Sequence, residues 1–251
     1  MTEYDQLAEH YDETRGGEGR GDEYAADVDA HLPAGDGPIL EIGVGTGVVA
    51  LGLRRRGRLV IGLDLSAPML SRARTRLGPV VVLSDAMSMA LATGSVAHAV
   101  SVWVVHSVAE PMVLFQEAAR VIRPGGSYVV CATQYPSADD RVGMIISDMG
   151  ARIDARRETR RPRGVSVDDV LVWGRDAGFA GTAHQLERQW HASPDHELAA
   201  IANRSWPALR ELDDDAVEAV TRPAIEALQA VSPTDVIRRA TSEMVVFRRL
   251  G

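Results

Sequence analysis

Three carboxylates stand where three successive apolar runs end: Glu41 in PILEIG, Asp64 in RLVIGLD and Asp85 just after PVVVLS. Between the first two lies GVGTGV, with Gly43, Gly45 and Gly47 at two-residue spacing. Glycine admits positive φ and lets a ligand approach the backbone, so this loop suits a flat or extended molecule. A dinucleotide fingerprint would have its third glycine where Val48 stands, and the Lys-Ser/Thr pair of a phosphate-binding P-loop is missing. Asp64 is placed to accept hydrogen bonds from both hydroxyls of a ribose, and Asp85 to receive an exocyclic amino group such as that of adenine. Together the carboxylates make a negative pocket that repels phosphate and attracts a cation. His106, in VSVWVVHSV, follows a further apolar run, where an imidazole suits a general base or simply a hydrogen-bonded residue opening a loop.

The elements that position these groups alternate in the order of a parallel sheet with crossover helices. Strands are expected at 38–43, 58–64, 79–84, 96–105 and 126–133, with helices at about 46–56, 67–77 and 110–122. Their near-continuous Val, Ile and Leu fits strands covered on both faces. Ahead of them, 1–32 reads as helices at 3–11 and 21–31 broken by RGGEGRG. Beyond them, Val142, Ile145, Ile146, Met149 and Ile153 fall at helical spacing behind Ser137 as cap, in a helix to about 160. Its end carries Arg156, Arg157, Arg160, Arg161 and Arg163, read as a solvated helix terminus. A helix capped by Ser166 stops at Gly178, and strands follow at 180–190 and 242–250. The roughly fifty residues between those strands exceed any hairpin loop and require structure of their own. Ser193-Pro194 opens one helix there, and Val217, Val220, Ala224, Leu228 and Val231 stripe a second, expected to kink at Pro223.

Composition narrows the partners. The 251 residues carry 27 basic against 35 acidic side chains, a net charge of -8, which argues against DNA or RNA as the main partner. Small molecules are favoured. The single cysteine, Cys131, excludes an intramolecular disulfide and reads as a buried thiol consistent with a reducing cytoplasm. No apolar run approaches the ~20 residues of a membrane span, and MTEYDQLAEH is too acidic for a signal peptide, so a cytoplasmic protein without membrane association is expected. His10, His31, His98, His184 and His196 show no metal-ligand spacing, and no metal is expected.

In order, LEIGVGTGVVA, VIGLDLSAPML, LSDAMSMAL and ARVIRPGGSYVV resemble the motifs of the class I S-adenosylmethionine-dependent methyltransferases, in particular the small-molecule subgroup of methyltransferase types 11 and 25. The resemblance covers residues 1–135, and the remainder only by order of elements. It implies an α/β, doubly wound, seven-stranded and mostly parallel Rossmann-like sheet, with an antiparallel last strand and a helical lid insertion. One methyltransferase domain over 1–251 would then comprise an N-terminal helical cover (1–37), a cofactor-binding core (38–135), helices and a strand completing the sheet (136–190), a substrate lid (191–241) and the last strand (242–251).

S-adenosylmethionine is the implied cofactor. By this resemblance Gly43, Gly45 and Gly47 face its methionine and ribose, and Glu41 lies near the methionine amino group. Asp64 holds the ribose, with Leu65 or Met69 beside the adenine. Asp85 and Ala86 match the adenine amino site, with Met87 over the ring. Ser101 and Val102 match the strand end whose carbonyl holds the ammonium, and Tyr11 and Arg15 match the segment that closes over the cofactor, Arg15 as partner of its carboxylate. Tyr4, Trp103, Trp190, His191 and Trp206 are candidates for lining the acceptor pocket, Tyr4, Tyr11 and Trp103 being equally readable as core. The implied reaction is methyl transfer to an O, N or C nucleophile of a small molecule, with secondary metabolism as a candidate setting. A binding scaffold or cyclase on the same fold is the alternative, and a nicotinamide oxidoreductase is disfavoured by Val48 and the acidic pocket. The oligomeric state is left open.

Overall fold

The computed structural model describes residues 4–5, 7–35, 37–156, 165–232 and 236–251. From the N-terminus the elements are α1 (Tyr11–Arg15), α2 (Gly17–His31), β1 (Ile39–Ile42), α3 (Val48–Arg55), β2 (Val60–Asp64), α4 (Ala67–Leu77), β3 (Val81–Leu83) and β4 (Val96–Val102). They continue as α5 (Pro111–Val121), β5 (Ile122–Pro136), α6 (Arg141–Asp154), α7 (Val167–Asp176) and β6 (Phe179–Ala192). The chain closes with α8 (Pro194–Ala202), α9 (Pro207–Arg210), α10 (Asp214–Gln229) and β7 (Val236–Arg249). It divides into two units, the first of residues 1–133, 165–184 and 243–251, the second of 134–164 and 185–242.

The sheet has the order β3-β2-β1-β4-β5-β7-β6, parallel through β1 to β5 with antiparallel C-terminal strands, and β1 to β4 lie wholly in the first unit. Strand order reverses between β1 and β4, and open α/β sheets bind ligands at such a switch point, beyond the carboxyl ends of the strands. The expected boundary of β5 was too late: pairing moves from Val96↔Ile122 to His98↔Ser127, so Arg-Pro-Gly-Gly is an irregularity inside the strand and not a turn before it. Phe115, Tyr128, Phe179 and Phe247 meet in the core at centroid distances of 5.4–6.2 Å. Room for Phe247 is made by Gly174 and Gly181, where an added Cβ would come within 2.1 and 2.4 Å of its ring.

The helix break expected at RGGEGRG narrows to Gly16, whose left-handed backbone separates α1 from α2, and α2 takes in the rest of the motif from Gly17. Gly21 of α2 and Gly52 of α3 serve close packing of these two helices. A Cβ on Gly21 would stand 2.7 Å from Val48 Cβ, and one on Gly52 would stand 2.6 Å from Ala25 Cβ. Tertiary packing here overrides the low helix propensity of glycine.

In the second unit the apolar stripe of α6 joins α8, α9 and α10 in a cluster that includes Val142, Met149, Ile153, Ile201, Leu209 and Leu228. Helix α6 was expected to help complete the sheet; its partners are these helices, because its buried face matches theirs. Its cap is Asp140 and not Ser137: the Asp140 carboxylate accepts the Gly143 N–H at 2.7 Å, while the Ser137 N–H donates to the Arg239 carbonyl. The helix ends at Asp154, and the expected arginine cluster beyond Arg156 lies outside the described residues. Helix α10 runs uninterrupted through Pro223, and β7 starts at Val236, six residues before the expected start. A buried ionic hub holds these pieces together. The Arg238 guanidinium donates from Nε to both oxygens of Asp140, at 2.8 and 2.9 Å, and from NH1 to Glu197 at 2.7 Å. Removing one member of a buried pair leaves the other charge without compensation. Arg238→Ala is therefore expected to lower the unfolding free energy of this unit by about 3–5 kcal/mol, read from urea denaturation.

Candidate active site

The three glycines of the first loop all have left-handed backbones, with φ of 69°, 53° and 84° at Gly43, Gly45 and Gly47, but they make room for different things. A Cβ on Gly43 would lie 2.4 Å from Val104 Cγ2, and one on Gly47 would press on Leu77 and Ala73 of α4 at 3.1–3.2 Å. One on Gly45 would meet nothing within 4 Å. Among the three, it is Gly45 that opens onto space a ligand can occupy. Its N–H donates to Asp64 Oδ2 at 2.8 Å, while Oδ1 accepts the Ser66 N–H at the same distance. Burial pushes the Asp64 carboxyl up, opposed by the N–H groups of Ser66, Gly45 and Leu65. An ionised carboxylate has about four acceptor positions, so three backbone N–H groups still leave capacity for a ribose hydroxyl.

Glu41, one strand over, is 3% exposed. It takes the backbone N–H of Ala50, but its Oε2 has no partner among the described residues. Burial holds this carboxyl well above the usual range, and the nearby Asp64 adds to the effect. After β3, Asp85 Oδ1 accepts the Met87 N–H at 2.8 Å, ordering a turn in which Ala86 is buried and Met87 half-buried. Leu65 is 56% exposed, whereas Met69 is 2% exposed and belongs to the core face of α4. Of the two adenine neighbours expected from sequence, Leu65 offers accessible apolar surface. Leu83, paired with Asp64 and 59% exposed, offers more of it and went unrecognised inside PVVVLS; its signal was its place as the last residue of a strand, before Ser84 and Asp85.

At the end of β4 the Ser101 hydroxyl is committed to the core, sharing a buried hydrogen bond of 2.9 Å with Tyr128, whose phenol burial drives up. Val102 is half-buried. Trp103 then adopts φ of 62°, a left-handed conformation that costs a bulky residue about 1–3 kcal/mol and concentrates at functional sites. Its ring meets Tyr24 edge-on at 6.2 Å and His106 at 6.3 Å, with the Arg20 guanidinium 5.5 Å from its centroid. Its buried Nε1 has no hydrogen-bond partner among the described residues. Tyr24 and Arg20 were missed from sequence because the segment carrying them read as a helix boundary and not as part of a site. His106 is exposed, in a 3-10 turn over Val105–Ser107.

The N-terminal segment is tied to the stretches that follow β1, β2 and β4. Tyr4 shares a 2.8 Å hydrogen bond with Ser107, Ser66 Oγ donates to Asp5 at 2.6 Å, and Asp12 accepts from Thr46 Oγ1 and Arg76 at 2.5 Å each. Tyr11 is half-buried at the start of α1, and the Arg15 side chain lies outside the described residues.

Comparison with known proteins identifies the central domain. Residues 40–130, from β1 into β5, match the family model described as a methyltransferase domain. An uncharacterised methyltransferase of Mycobacterium tuberculosis is 32% identical over 117 residues, covering 45% of this chain and 59% of the relative. A phosphatidylethanolamine N-methyltransferase of Cereibacter sphaeroides is 38% identical over 108 residues, covering 40% of this chain and 53% of the relative. Residues 40–130 thus form a methyltransferase domain of the class I S-adenosylmethionine-dependent type. The chain spans less than two thirds of the length of these curated relatives. In fold, the chain resembles a S-adenosylmethionine-dependent methyltransferase of Thermotoga maritima, with a TM-score of 0.60 at 18% identity over 98% of both chains. It also resembles the cyclase SpnF, with a TM-score of 0.63 at 18% identity over 99% of this chain and 95% of the other.

The residues of the first unit fit S-adenosylmethionine. The open face of Gly45, the Glu41 oxygen without a partner among the described residues, the spare acceptor capacity of Asp64 and the apolar surface of Leu65 and Leu83 suit, in turn, an extended methionine arm, an ammonium, a ribose and an adenine. Trp190 and Trp206 belong to the second unit, where Trp190 lies 5.2 Å from the Arg238 guanidinium and Trp206 packs on the helical cluster; the His191 side chain is outside the described residues. Among the described residues no cluster of three His, Cys, Asp or Glu is arranged for a metal, and no helix is long and apolar enough to cross a membrane. Because Asp12 holds both Thr46 and Arg76, Asp12→Ala is expected to release the N-terminal segment, a loss of about 1–3 kcal/mol. Amide hydrogen exchange over residues 7–15 should then accelerate about tenfold or more, with β1 to β4 unchanged.

Proposed function

We propose that the chain transfers a methyl group from S-adenosylmethionine to an O, N or C nucleophile of a small-molecule acceptor. The observation that carries this reading is the pairing of an open, Asp64-held Gly45 with a buried Glu41 oxygen that lacks a partner, a pocket built for a cationic, extended ligand. When bound, the cofactor supplies an electrophilic methyl on a sulfonium. The work left to the protein is chiefly alignment, since in-line displacement needs the nucleophile about 3–3.5 Å from the methyl carbon. Asp64 and the N–H groups around it fix the ribose, Leu65 and Leu83 flank the base, and Glu41 receives the ammonium.

Beyond β4, Trp103 forms a wall of the acceptor side and His106 takes the proton of an alcohol, phenol or amine as it is methylated. The exposure of His106 and its approach to Trp103 support that placement. The net charge of -8 favours a small acceptor over a nucleic acid. A second reading, cyclisation without methyl transfer, has the fold likeness to SpnF in its favour, and fold alone does not select between them.

Two variants separate the roles. Asp64→Ala is expected to weaken binding of S-adenosylhomocysteine by about tenfold to a hundredfold, measured by calorimetry, since hydrogen bonds to a charged group contribute about 1.5–3 kcal/mol. His106→Ala should leave that affinity unchanged while lowering turnover of a protic acceptor by about 10²–10⁴. Turnover is read as the gain of one methyl group by mass spectrometry in a panel of candidate acceptors. An acceptor that is cyclised with no gain of methyl would decide for the second reading.

A further inference from the structure

Glu41 differs from the other acidic groups of the first unit in its surroundings. On β1 it is paired with Gly62 of β2 and Val100 of β4, neither of them charged. Residues paired across a parallel sheet share a face, so Asp64, two residues beyond Gly62, lies on the face of Glu41. From β4 the titratable group on that face is His98, which burial and the charges of Arg123, Arg58 and Arg248 keep neutral, with Nδ1 accepting the Ser127 N–H. From α3 comes the Ala50 N–H, while the arginines at the far end of α3 are engaged elsewhere: Arg54 with the Leu77 carbonyl, Arg55 with Glu18, and Arg56, just beyond the helix, with Asp22. Arg20 of α2 lies over Trp103 and Tyr24, and Asp5 of the N-terminal segment adds a further negative charge near Asp64.

An ionised Glu41 in the empty pocket would thus be a buried anion with one oxygen unpaired and a second anion on the same face. Asp64 has three backbone N–H groups to stabilise its charge; Glu41 has one. Burial is the main reason the charge on Glu41 is disfavoured, the Asp64 charge adds to it and only one backbone N–H opposes it, so Glu41 keeps its proton. A cation delivered by the ligand removes that reason to stay neutral.

We propose that Glu41 carries a proton while the pocket is empty and surrenders it when the ammonium of an amino-acid-bearing ligand reaches its unpartnered oxygen, so that cofactor binding releases a proton to solvent. The O–H bond of the carboxylic acid breaks, the proton passes to buffer, and the carboxylate accepts an N–H of the ammonium. This rests on the cofactor reading given above. The sign follows: the carboxyl lies above its usual range in the empty protein and is drawn down in the complex, so affinity rises with pH between those two values and is flat outside them.

The test is calorimetric titration of the full chain with S-adenosylhomocysteine, a non-reacting ligand with the ammonium, and with 5′-methylthioadenosine, which lacks it. Each is run in two buffers of different ionisation enthalpy and over a pH series. For the wild type, release approaching one proton per S-adenosylhomocysteine is expected, with Kd tightening by up to about tenfold per pH unit across the window. Methylthioadenosine should release none, and Glu41→Gln should bind S-adenosylhomocysteine with neither release nor pH dependence. Should that variant fail to fold, the contrast between the two ligands on the wild type still decides. A buffer-independent enthalpy in the wild type, or release that persists in Glu41→Gln, would overturn the proposal. Failure of both ligands to bind the wild type would instead overturn the cofactor reading beneath it.

Discussion

The hydrogen bond from the Gly45 N–H to the Asp64 carboxylate joins the first strand-to-helix loop to the end of the second strand. A loop with three left-handed glycines has few side chains by which to be held, so a partly buried anion on the next strand serves instead. The same carboxylate orders Ser66, which caps α4 through the Met69 N–H and donates its hydroxyl to Asp5. One acidic residue thereby organises the loop, the start of a helix and part of the N-terminal cover. Reduced solvation strengthens each of these bonds and makes the arrangement intolerant of a missing partner.

A second dependence runs from β1 to β4. Because Gly43 lacks a side chain, Val104 can sit against it, and the chain just before Val104 is carried through the left-handed conformation of Trp103. The Trp103 N–H is held by the Cys131 carbonyl of β5, so the strained residue is fixed from both sides. A glycine that reads as part of a ligand loop is equally a device for turning the neighbouring strand. This places an aromatic ring, a guanidinium and an imidazole at the edge where the acceptor is expected.

The alternation of strands and helices, the doubly wound sheet and the acidic residues at the ends of the first three strands were legible in the sequence. They depend on apolar runs, glycines and carboxylates whose effects act over a few residues. What escaped depends on packing between distant segments. Gly21 of α2 read as part of a break because its use, close approach to α3, exists only once the two helices meet. Met69 reads like Leu65 in LDLSAPML, yet helical rotation buries one and leaves the other at the surface. Asp140 and Arg238, 98 positions apart, give no local hint that they form one ion pair, and so the cap of α6 was assigned to Ser137.

The chain passes between the two units at four points, and three of them fall inside strands: residue 133 lies within β5, 184 within β6 and 242 within β7. Loops tolerate insertions and deletions; a strand does not, because a slip of one residue moves every later side chain to the opposite face. Variation of the second unit, whether in nature or by grafting, must therefore keep three junctions in register at once. Whole-module exchange is hard in such an architecture, and diversity is more readily gained by substitution on a fixed frame.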